Sequence, residues 1–291
     1  MASQRLRLAE NAPGTFFVDQ SCIDCDTCRQ LAPGVFARSA RGHSYVAHQP
    51  ASADDRREAR LALVACPAAS IGSQDKQGLA EAAHAFPVPV DGEISYCGYA
   101  SADSYGAASY FIRREAGNVL IDSPRAAGPL LARLGELGGV SLMFLSHRDD
   151  VADHALFAQR FACRRVLHAA DVTMDTRLVE WAWEGDEPLR LADDLLLIPV
   201  PGHTRGSAAL LYRDKYLFTG DHLWGADDGA GLAASRSVCW HSWPEQVRSL
   251  ERLLDFSFEW VLPGHGRRFR AGSPSEMRGA LQGLLHRLQR R

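Results

Sequence analysis

The hydrophobic and polar positions along the chain predict short strands that alternate with helices. Residues 15–19 and 44–48 have the aromatic and β-branched content of strands, and residues 54–65 have helical spacing, with arginines opposite the apolar side chains. Further strands are predicted at 109–113, 118–122, 142–145, 165–168, 195–200, 208–213, 216–218 and 258–262, and helices at 130–137, 151–161 and 244–254. Paired strands followed by strands interspersed with helices favour sheets covered by helices, an α/β class.

Composition restricts the class of protein without naming a function. The chain has 291 residues, enough for two domains or one large one, with 46% hydrophobic and 23% charged residues. A net charge of −3 gives no reason to expect a nucleic-acid partner. No apolar run approaches the roughly 18 residues that cross a bilayer, and the N-terminus lacks the apolar core of a signal peptide. We therefore expect a cytoplasmic protein, away from membranes, that acts on a small molecule.

The seven cysteines are unevenly placed, and four of them lie in the first quarter of the chain. Cys22, Cys25 and Cys28 form a C-x2-C-x2-C loop between two predicted strands, and Cys66 follows a predicted helix and precedes Pro67. Clustered cysteines in a reducing compartment indicate a metal rather than disulfides. Three thiolates at this spacing can face one centre, and a remote Cys-Pro can supply a fourth ligand.

This segment resembles a single-cluster ferredoxin. In two-cluster ferredoxins a further Cys-Pro follows the triple cysteine motif, whereas this chain has Ala32-Pro33 there and no second triple motif. The resemblance implies a small α+β ferredoxin-like domain at 12–75, with one 4Fe-4S cluster bound by Cys22, Cys25, Cys28 and Cys66. A structural zinc site with the same four ligands is the alternative. Residues 76–90, rich in alanine, glycine and proline, are predicted to be a linker.

A second group of polar residues follows the predicted strands of the remaining chain. The strand at 142–145 runs into a short stretch dense in histidine and aspartate, which is typical either of a metal site or of a helix cap. Single histidines and aspartates follow three later strands, each inside a glycine-containing turn. In chain order, the residues in these positions are His147, Asp149, Asp150, Asp153, His154, His203, Asp221 and His265.

The order of these motifs resembles the metallo-β-lactamase superfamily. The resemblance implies an αββα sandwich over 91–291, with a site for two metal ions shared by a bridging Asp221. It also implies that Asp122, which follows a predicted strand, orients other groups rather than binding metal. The metal ligands implied by the match are His147, Asp149, Asp153, His154, His203, Asp221 and His265.

The chain departs from the superfamily's H-x-H-x-D-H signature. It reads His-x-Asp-Asp-x-x-Asp-His, two residues longer, with Asp149 at the position of the second histidine. One centre would then hold His147, Asp149, His203 and Asp221, and the other Asp153, His154, Asp221 and His265. Asp150 could replace Asp149 or cap the helix. A carboxylate in place of an imidazole shifts the preferred metal from zinc toward iron or manganese.

Two functions compete at this stage. The resemblance implies first a metal-dependent hydrolase of an ester or thioester, which uses a metal-bridging hydroxide with Asp153 as proton acceptor. The alternative is an oxidoreductase in which the 4Fe-4S cluster passes electrons to a di-iron site, with an electron-transfer partner supplying them. Most of the superfamily is hydrolytic, whereas hydrolysis has no need of a ferredoxin module. The sequence favours the hydrolase narrowly.

Overall fold

The computed structural model describes residues 2–227 and 229–290, which form two compact units. The first unit comprises the chain up to Ser141 together with Ala152–Cys163, and the second comprises Leu142–Val151 and the chain from Arg164 onward. The domain boundaries predicted near 75 and 90 fall inside the first unit and stay predictions. No helix within the described residues is long and apolar enough to span a membrane.

The N-terminal part of the first unit is a small α+β arrangement. Its elements are β1 (Phe16–Val18), α1 (Thr27–Leu31), β2 (Phe36–Arg38), β3 (Ser44–Val46), α2 (Ala53–Ala65) and β4 (Ile71–Ser73). Strand β1 pairs antiparallel with β4, and β2 with β3. A capping box between Ser52 and Asp55 starts α2, because each side chain accepts the other residue's backbone N–H. The buried face of α2 packs with Phe16, Val35 and Phe36 into one core.

The rest of the first unit contains four antiparallel strands and three helices. These are α3 (Leu79–His84), β5 (Val88–Asp91), β6 (Ile94–Tyr96), β7 (Tyr110–Ile112), β8 (Val119–Ile121), α4 (Gly128–Glu136) and α5 (His154–Phe161), with the strands in the order β5-β6-β7-β8. The predicted linker at 76–90 thus holds α3 and most of β5. Its prolines fit the outermost strand, where a missing N–H breaks no inner hydrogen bond.

The second unit begins with three parallel strands. They are β9 (Leu142–Phe144), β10 (Arg164–His168) and β11 (Trp181–Trp183), with β10 between the other two. The guanidinium of Arg165, which is buried, binds Glu180 immediately before β11 at 2.7 and 2.9 Å. This ion pair joins β10 to the segment that enters β11.

A six-stranded sheet forms the other half of the second unit. Its strands, in spatial order, are β12 (Leu189–Ala192), β13 (Leu195–Pro199), β14 (Ala208–Tyr212), β15 (Tyr216–Gly220), β18 (Trp260–Pro263) and β19 (Phe269–Arg270). All neighbours are antiparallel except β15 and β18. The unit also contains a hairpin of β16 (Trp224–Gly225) and β17 (Leu232–Ala233), and helices α6 (Trp243–Arg252) and α7 (Pro274–Gln289). Apolar residues of α6, α7 and the sheet share one core.

Most predicted elements are confirmed, and the main differences lie at their ends. The helix predicted from 151 begins at His154, because residues 147–153 form a loop instead. At the C-terminal end of the chain α7 runs through Gln289, and Arg291 lies outside the described residues.

Candidate metal centre and cluster site

The four N-terminal cysteines surround a single cavity in the first unit. Asp24 and Asp26, which alternate with the cysteines of the loop, have left-handed backbone with φ of 59° and 66°. Aspartate tolerates this conformation better than most residues, and it bends the loop around one point. The fourth cysteine, Cys66, is the C-cap residue of α2. The cavity is lined by Val18, Cys22, Ile23, Cys25, Thr27, Cys28, Ser44, Cys66, Pro67, Ala68, Ser70 and Ile71.

The surroundings of these cysteines suit thiolates bound to a cationic cluster. Burial raises the pKa of the Cys28 thiol to about 12, and it also raises the pKa of Cys25 and Cys66. Buried thiols of this kind lose their protons only if a bound cation compensates the charge. Backbone N–H groups of Ser44 and Ser70 point at the sulfurs of Cys22 and Cys66, both at 3.3 Å. Such donors stabilise sulfur that carries negative charge, so the residues fit an iron–sulfur cluster.

A glycine closes one side of the cavity. Gly106, on the loop between β6 and β7, has φ of +88°, and a Cβ there would lie 2.5 Å from Cys25 Cβ and 3.0 Å from Cys25 Sγ. Its carbonyl accepts a hydrogen bond from the Thr27 hydroxyl at 3.4 Å. Only a residue without a side chain allows the backbone to approach the cysteine this closely.

In the second unit, histidines and aspartates collect at the ends of four strands. His147 follows β9, His203 follows β13, Asp221 directly follows β15 and His265 follows β18. Since β15 and β18 are parallel neighbours, their carboxyl ends bring Asp221 and His265 together. Gly264 makes room for this approach, because a Cβ there would lie 2.8 Å from Asp150 Oδ2 and 2.9 Å from Asp221 Oδ1.

Three donors gather on one side of Asp221. His203 Nε2 lies 3.3 Å from Asp149 Oδ2 and 3.7 Å from Asp221 Oδ2. His147 Nε2 lies 3.9 Å from Asp149 Oδ2 and 3.8 Å from Asp221 Oδ2. His147, Asp149 and His203 are therefore spaced as a set of atoms that could hold one ion.

A second set of donors forms around the same aspartate, and it includes Asp150. Asp150 Oδ2 lies 3.9 Å from His147 Nε2, and Asp150 Oδ1 lies 3.9 Å from His265 Nε2. His265 Nε2 lies 3.8 Å from Asp221 Oδ2. Asp150, only 2% exposed, is directed into the centre.

These spacings fit metal ions. Two ligands about 2.1 Å from a tetrahedral ion lie about 3.4 Å apart, which is close to the observed separations. Within the described chain, His147 Nε2, His203 Nε2 and Asp221 Oδ1 are buried without a hydrogen-bond partner. Both histidines use Nδ1 elsewhere, His147 with the Ser146 hydroxyl at 2.9 Å and His203 with the Val238 carbonyl at 2.5 Å. Each Nε2 is left aimed at the centre, as in metal-binding histidines.

Comparison with known proteins fits both halves of this description. Residues 18–73 match the family model described as the 4Fe-4S single cluster domain of Ferredoxin I. No curated protein sequence matches the chain. Among solved structures, the BLEG-1 B3 metallo-β-lactamase aligns with a TM-score of 0.51 at 16% identity, over 65% of this chain and all of that one. The fold is that of the metallo-β-lactamases.

Two further solved structures also align with this chain. TTHA1623, solved in a di-iron-bound form, aligns with a TM-score of 0.47 at 22% identity, over 64% of this chain and 94% of that one. ETHE1 from Myxococcus xanthus gives a TM-score of 0.47 at 20% identity, over 67% of this chain and 89% of its own. The predicted metallo-β-lactamase fold and the ferredoxin-like domain before it are thus confirmed.

Charge at the centre of this metallo-β-lactamase fold favours the anionic form of Asp149. The neighbouring His203 imidazole lowers the pKa of Asp149. Burial opposes the charged form of His203, but the nearby Asp149 and Asp221 carboxylates raise its pKa overall. Burial lowers the pKa of His147, which favours the neutral imidazole that binds metal.

Asp171, which no sequence motif singled out, joins two of the ligand-bearing loops. It is 1% exposed, and its Oδ2 accepts hydrogen bonds from Arg148 N–H at 3.0 Å and from the Thr204 hydroxyl at 2.5 Å. Its Oδ1 accepts the Gly206 N–H at 2.7 Å. Asp171 thereby fixes the residues next to His147 and His203. A lone aspartate after a strand carries no signal of this role in sequence.

The remaining predicted site residues lie in the first unit. Asp122 follows β8 and is buried, with φ of +55°. Asp153 precedes α5, and its Oδ2 accepts the Ala126 N–H at 2.7 Å. His154 is the first residue of α5 and is buried. The predicted roles of Asp153 and His154 in binding metal, and of Asp153 in catalysis, stay predictions.

Proposed function

We propose that this chain is a dinuclear metalloenzyme that hydrolyses an ester or thioester and carries a ferredoxin module in the same polypeptide. The observation that carries the proposal is the arrangement of five donor residues around Asp221, with the nearest donor atoms of the set 3.3 to 3.9 Å apart. Hydrogen-bonded ion pairs would lie closer together, whereas ligands of a shared ion have these separations.

The donors divide into two sets. His147, Asp149 and His203 would hold the first ion and Asp150 and His265 the second, with Asp221 shared between them. We assign the second carboxylate to Asp150 rather than to Asp153, because Asp150 lies within 3.9 Å of two histidines of the centre. The Asp153 carboxylate accepts a backbone N–H instead.

Two bound divalent ions would supply Lewis acidity for a carbonyl oxygen and would lower the pKa of water toward neutrality. The protein residues hold and orient this chemistry. Ser146 and the Val238 carbonyl fix the ring orientations of His147 and His203. Asp149, whose side chain is 43% exposed and whose pKa is lowered, is an anionic group on the solvent side of the centre, which suits a ligand of the first ion.

Trp240 indicates how a substrate would approach. Its ring centre lies 6.0 Å from that of His203 and the residue is 62% exposed, while its backbone N–H donates to the His203 carbonyl at 2.9 Å. An exposed indole fixed beside a ligand histidine offers an apolar surface to the acyl group of a substrate. We propose that Trp240 binds this group.

A redox function is the second candidate, and two observations favour it. Residues 18–73 match a 4Fe-4S ferredoxin model, and three of the six donors at the centre are carboxylates. Hard oxygen donors shift preference from zinc toward iron or manganese. A pair of irons could accept single electrons from the cluster, which a pair of zincs could not.

One experiment tests both candidates. Protein purified without oxygen is assayed with p-nitrophenyl acetate and acetyl-coenzyme A, before and after chelation, and its EPR spectrum is recorded with and without dithionite. The hydrolase proposal expects hydrolysis that chelation abolishes, that added metal restores and that does not depend on reduction of the cluster. The redox candidate would replace the hydrolase proposal if no hydrolysis occurs and the EPR spectra show that the reduced cluster passes electrons to a dinuclear iron site.

A further inference from the structure

One serine in the first unit lies beside two of the cluster cysteines and binds a buried cation. Ser44, 2% exposed, donates its backbone N–H to Cys22 Sγ at 3.3 Å, and it lines the same cavity as Cys28, whose pKa its hydroxyl lowers. The same hydroxyl oxygen is bound by Nη1 of Arg29. Ser44 is therefore the link between Arg29 and the sulfur of Cys28.

The chemistry of these groups fixes the direction of the hydroxyl hydrogen. A guanidinium can only donate, so the Ser44 oxygen must accept from Arg29. The hydrogen of the hydroxyl is then free to point at Cys28. A bond from a cation to the oxygen also polarises the O–H group and strengthens the bond that it donates. Thr27 offers a contrast, because its hydroxyl accepts a hydrogen bond from the Cys25 thiol at 3.5 Å and donates its own hydrogen to the Gly106 carbonyl at 3.4 Å.

Arg29 is held rigidly in this position. It is 8% exposed, and it forms ion pairs with Asp24 at 3.0 Å and with Asp26 at 2.5 Å. Both aspartates lie between the cysteines of the loop, so the loop that carries the cluster ligands also orients the arginine. A buried cation with two carboxylate partners has little freedom to leave the serine.

We propose that Ser44, oriented by Arg29, raises the reduction potential of the 4Fe-4S cluster. When the cluster accepts one electron from a one-electron reductant, negative charge on its sulfurs increases and no bond forms or breaks. Donors aimed at Cys22 and Cys28 stabilise the reduced cluster more than the oxidised one, which favours reduction. The inference rests on the proposed cluster ligands and is independent of the reaction at the metal centre.

The test is an EPR-monitored redox titration of the full chain, with dithionite as reductant, for wild type, Ser44→Ala and Ser70→Ala. Ser70→Ala is the matched control. The Ser70 hydroxyl bonds to Ser21 at 3.0 Å, and the bond to Cys66 comes from the Ser70 backbone N–H, which alanine keeps. We expect Ser44→Ala to shift the midpoint to a more negative potential, with a several-fold lower reduced fraction at the wild-type midpoint. Ser70→Ala should titrate like wild type.

Equal midpoints for wild type and Ser44→Ala would overturn the proposal. If Ser44→Ala holds no cluster, the Arg29→Gln variant is titrated instead, and it too should be reduced only at a more negative potential. Loss of the cluster from both variants, with Ser70→Ala intact, would assign Ser44 and Arg29 to cluster assembly and also overturn the proposal. A wild-type protein without any iron–sulfur signal would refute the cluster assignment itself.

Discussion

At the scale of single residues, part of the candidate centre comes from a short run that sequence alone allows to be interpreted in two ways. The stretch after the strand at 142–145 could bind metal or could cap the following helix with Asp150 or Asp153, so sequence alone left Asp150 open between a ligand and a cap. The predicted ligands His203, Asp221 and His265 could be found from sequence, because each lies in a glycine-containing turn that follows a strand. Ser44 and Asp171 could not be found from sequence, since their roles depend on partners far away in the chain.

The assignment of Asp150 leads to a prediction with a matched pair of variants. Asp150→Asn should lower the bound metal from about two ions per chain toward one, because a neutral amide is a poor ligand for a divalent ion. Asp153→Asn should keep both ions and cost about 1 kcal/mol of unfolding free energy or less, because an amide oxygen can still accept the Ala126 N–H. Metal content after dialysis and chemical denaturation measure the two effects. Loss of metal from Asp153→Asn alone would return the ligand role to Asp153.

At the scale of elements, periodicity predicted most strands and helices, but it did not predict the exact residues at which the elements next to the candidate centre begin. The helix predicted from 151 starts at His154, since the preceding residues form the loop that carries Asp149 and Asp150. Proline and alanine content at 76–90 indicated a linker. Edge-strand pairing of β5 with β6 overrides that local preference, and such tertiary pairing has no signature in composition.

The ion pair between β10 and the entry to β11 gives a test of stability at this scale. Glu180→Gln should lower the unfolding free energy at pH 7 by about 1 kcal/mol, a value discounted because Glu180 is 42% exposed on its side chain. Glu187→Gln is the control, since Glu187 is 90% exposed and its pair with Arg252 at 3.3 Å should contribute little.

The same pair predicts a dependence on pH. The hydrogen bonds with Arg165 lower the pKa of Glu180 from 4.5 to about 2. Its stabilisation is therefore fully present above pH 4.5 and is lost as the pH falls toward 2. The difference between wild type and Glu180→Gln should shrink between pH 6 and about pH 3 in urea denaturation. A difference that is constant over this range would show that the carboxylate charge does not matter.

At the scale of the whole molecule, the two kinds of candidate site depend on different ligand chemistry. Sulfur donors from one loop and one helix end surround the cavity in the first unit, and nitrogen and oxygen donors from four strand ends surround Asp221 in the second. The sequence indicated both candidate sites on different grounds: the triple-cysteine loop with a remote Cys-Pro for the first, and polar residues that follow strand ends for the second. The number of carboxylates at the centre required the structure, since it depends on the path of the loop at 147–150.

Because the two candidate sites use different ligands, substitutions at one site should remove its metal and leave the metal of the other site in place. A Cys22→Ser, Cys25→Ser double variant should lose the visible iron–sulfur absorbance and the iron of one cluster, about four ions, while about two ions of iron or manganese remain at the centre. An Asp221→Asn variant should keep the iron of the cluster and lose the ions of the centre, because it removes the carboxylate that lies within 3.8 Å of all three histidines. Elemental analysis with visible spectroscopy, on protein prepared without oxygen, measures both. Two zinc ions and no iron in the cysteine variant would show that the carboxylates do not select against zinc, which would remove one of the two observations that favour the redox candidate.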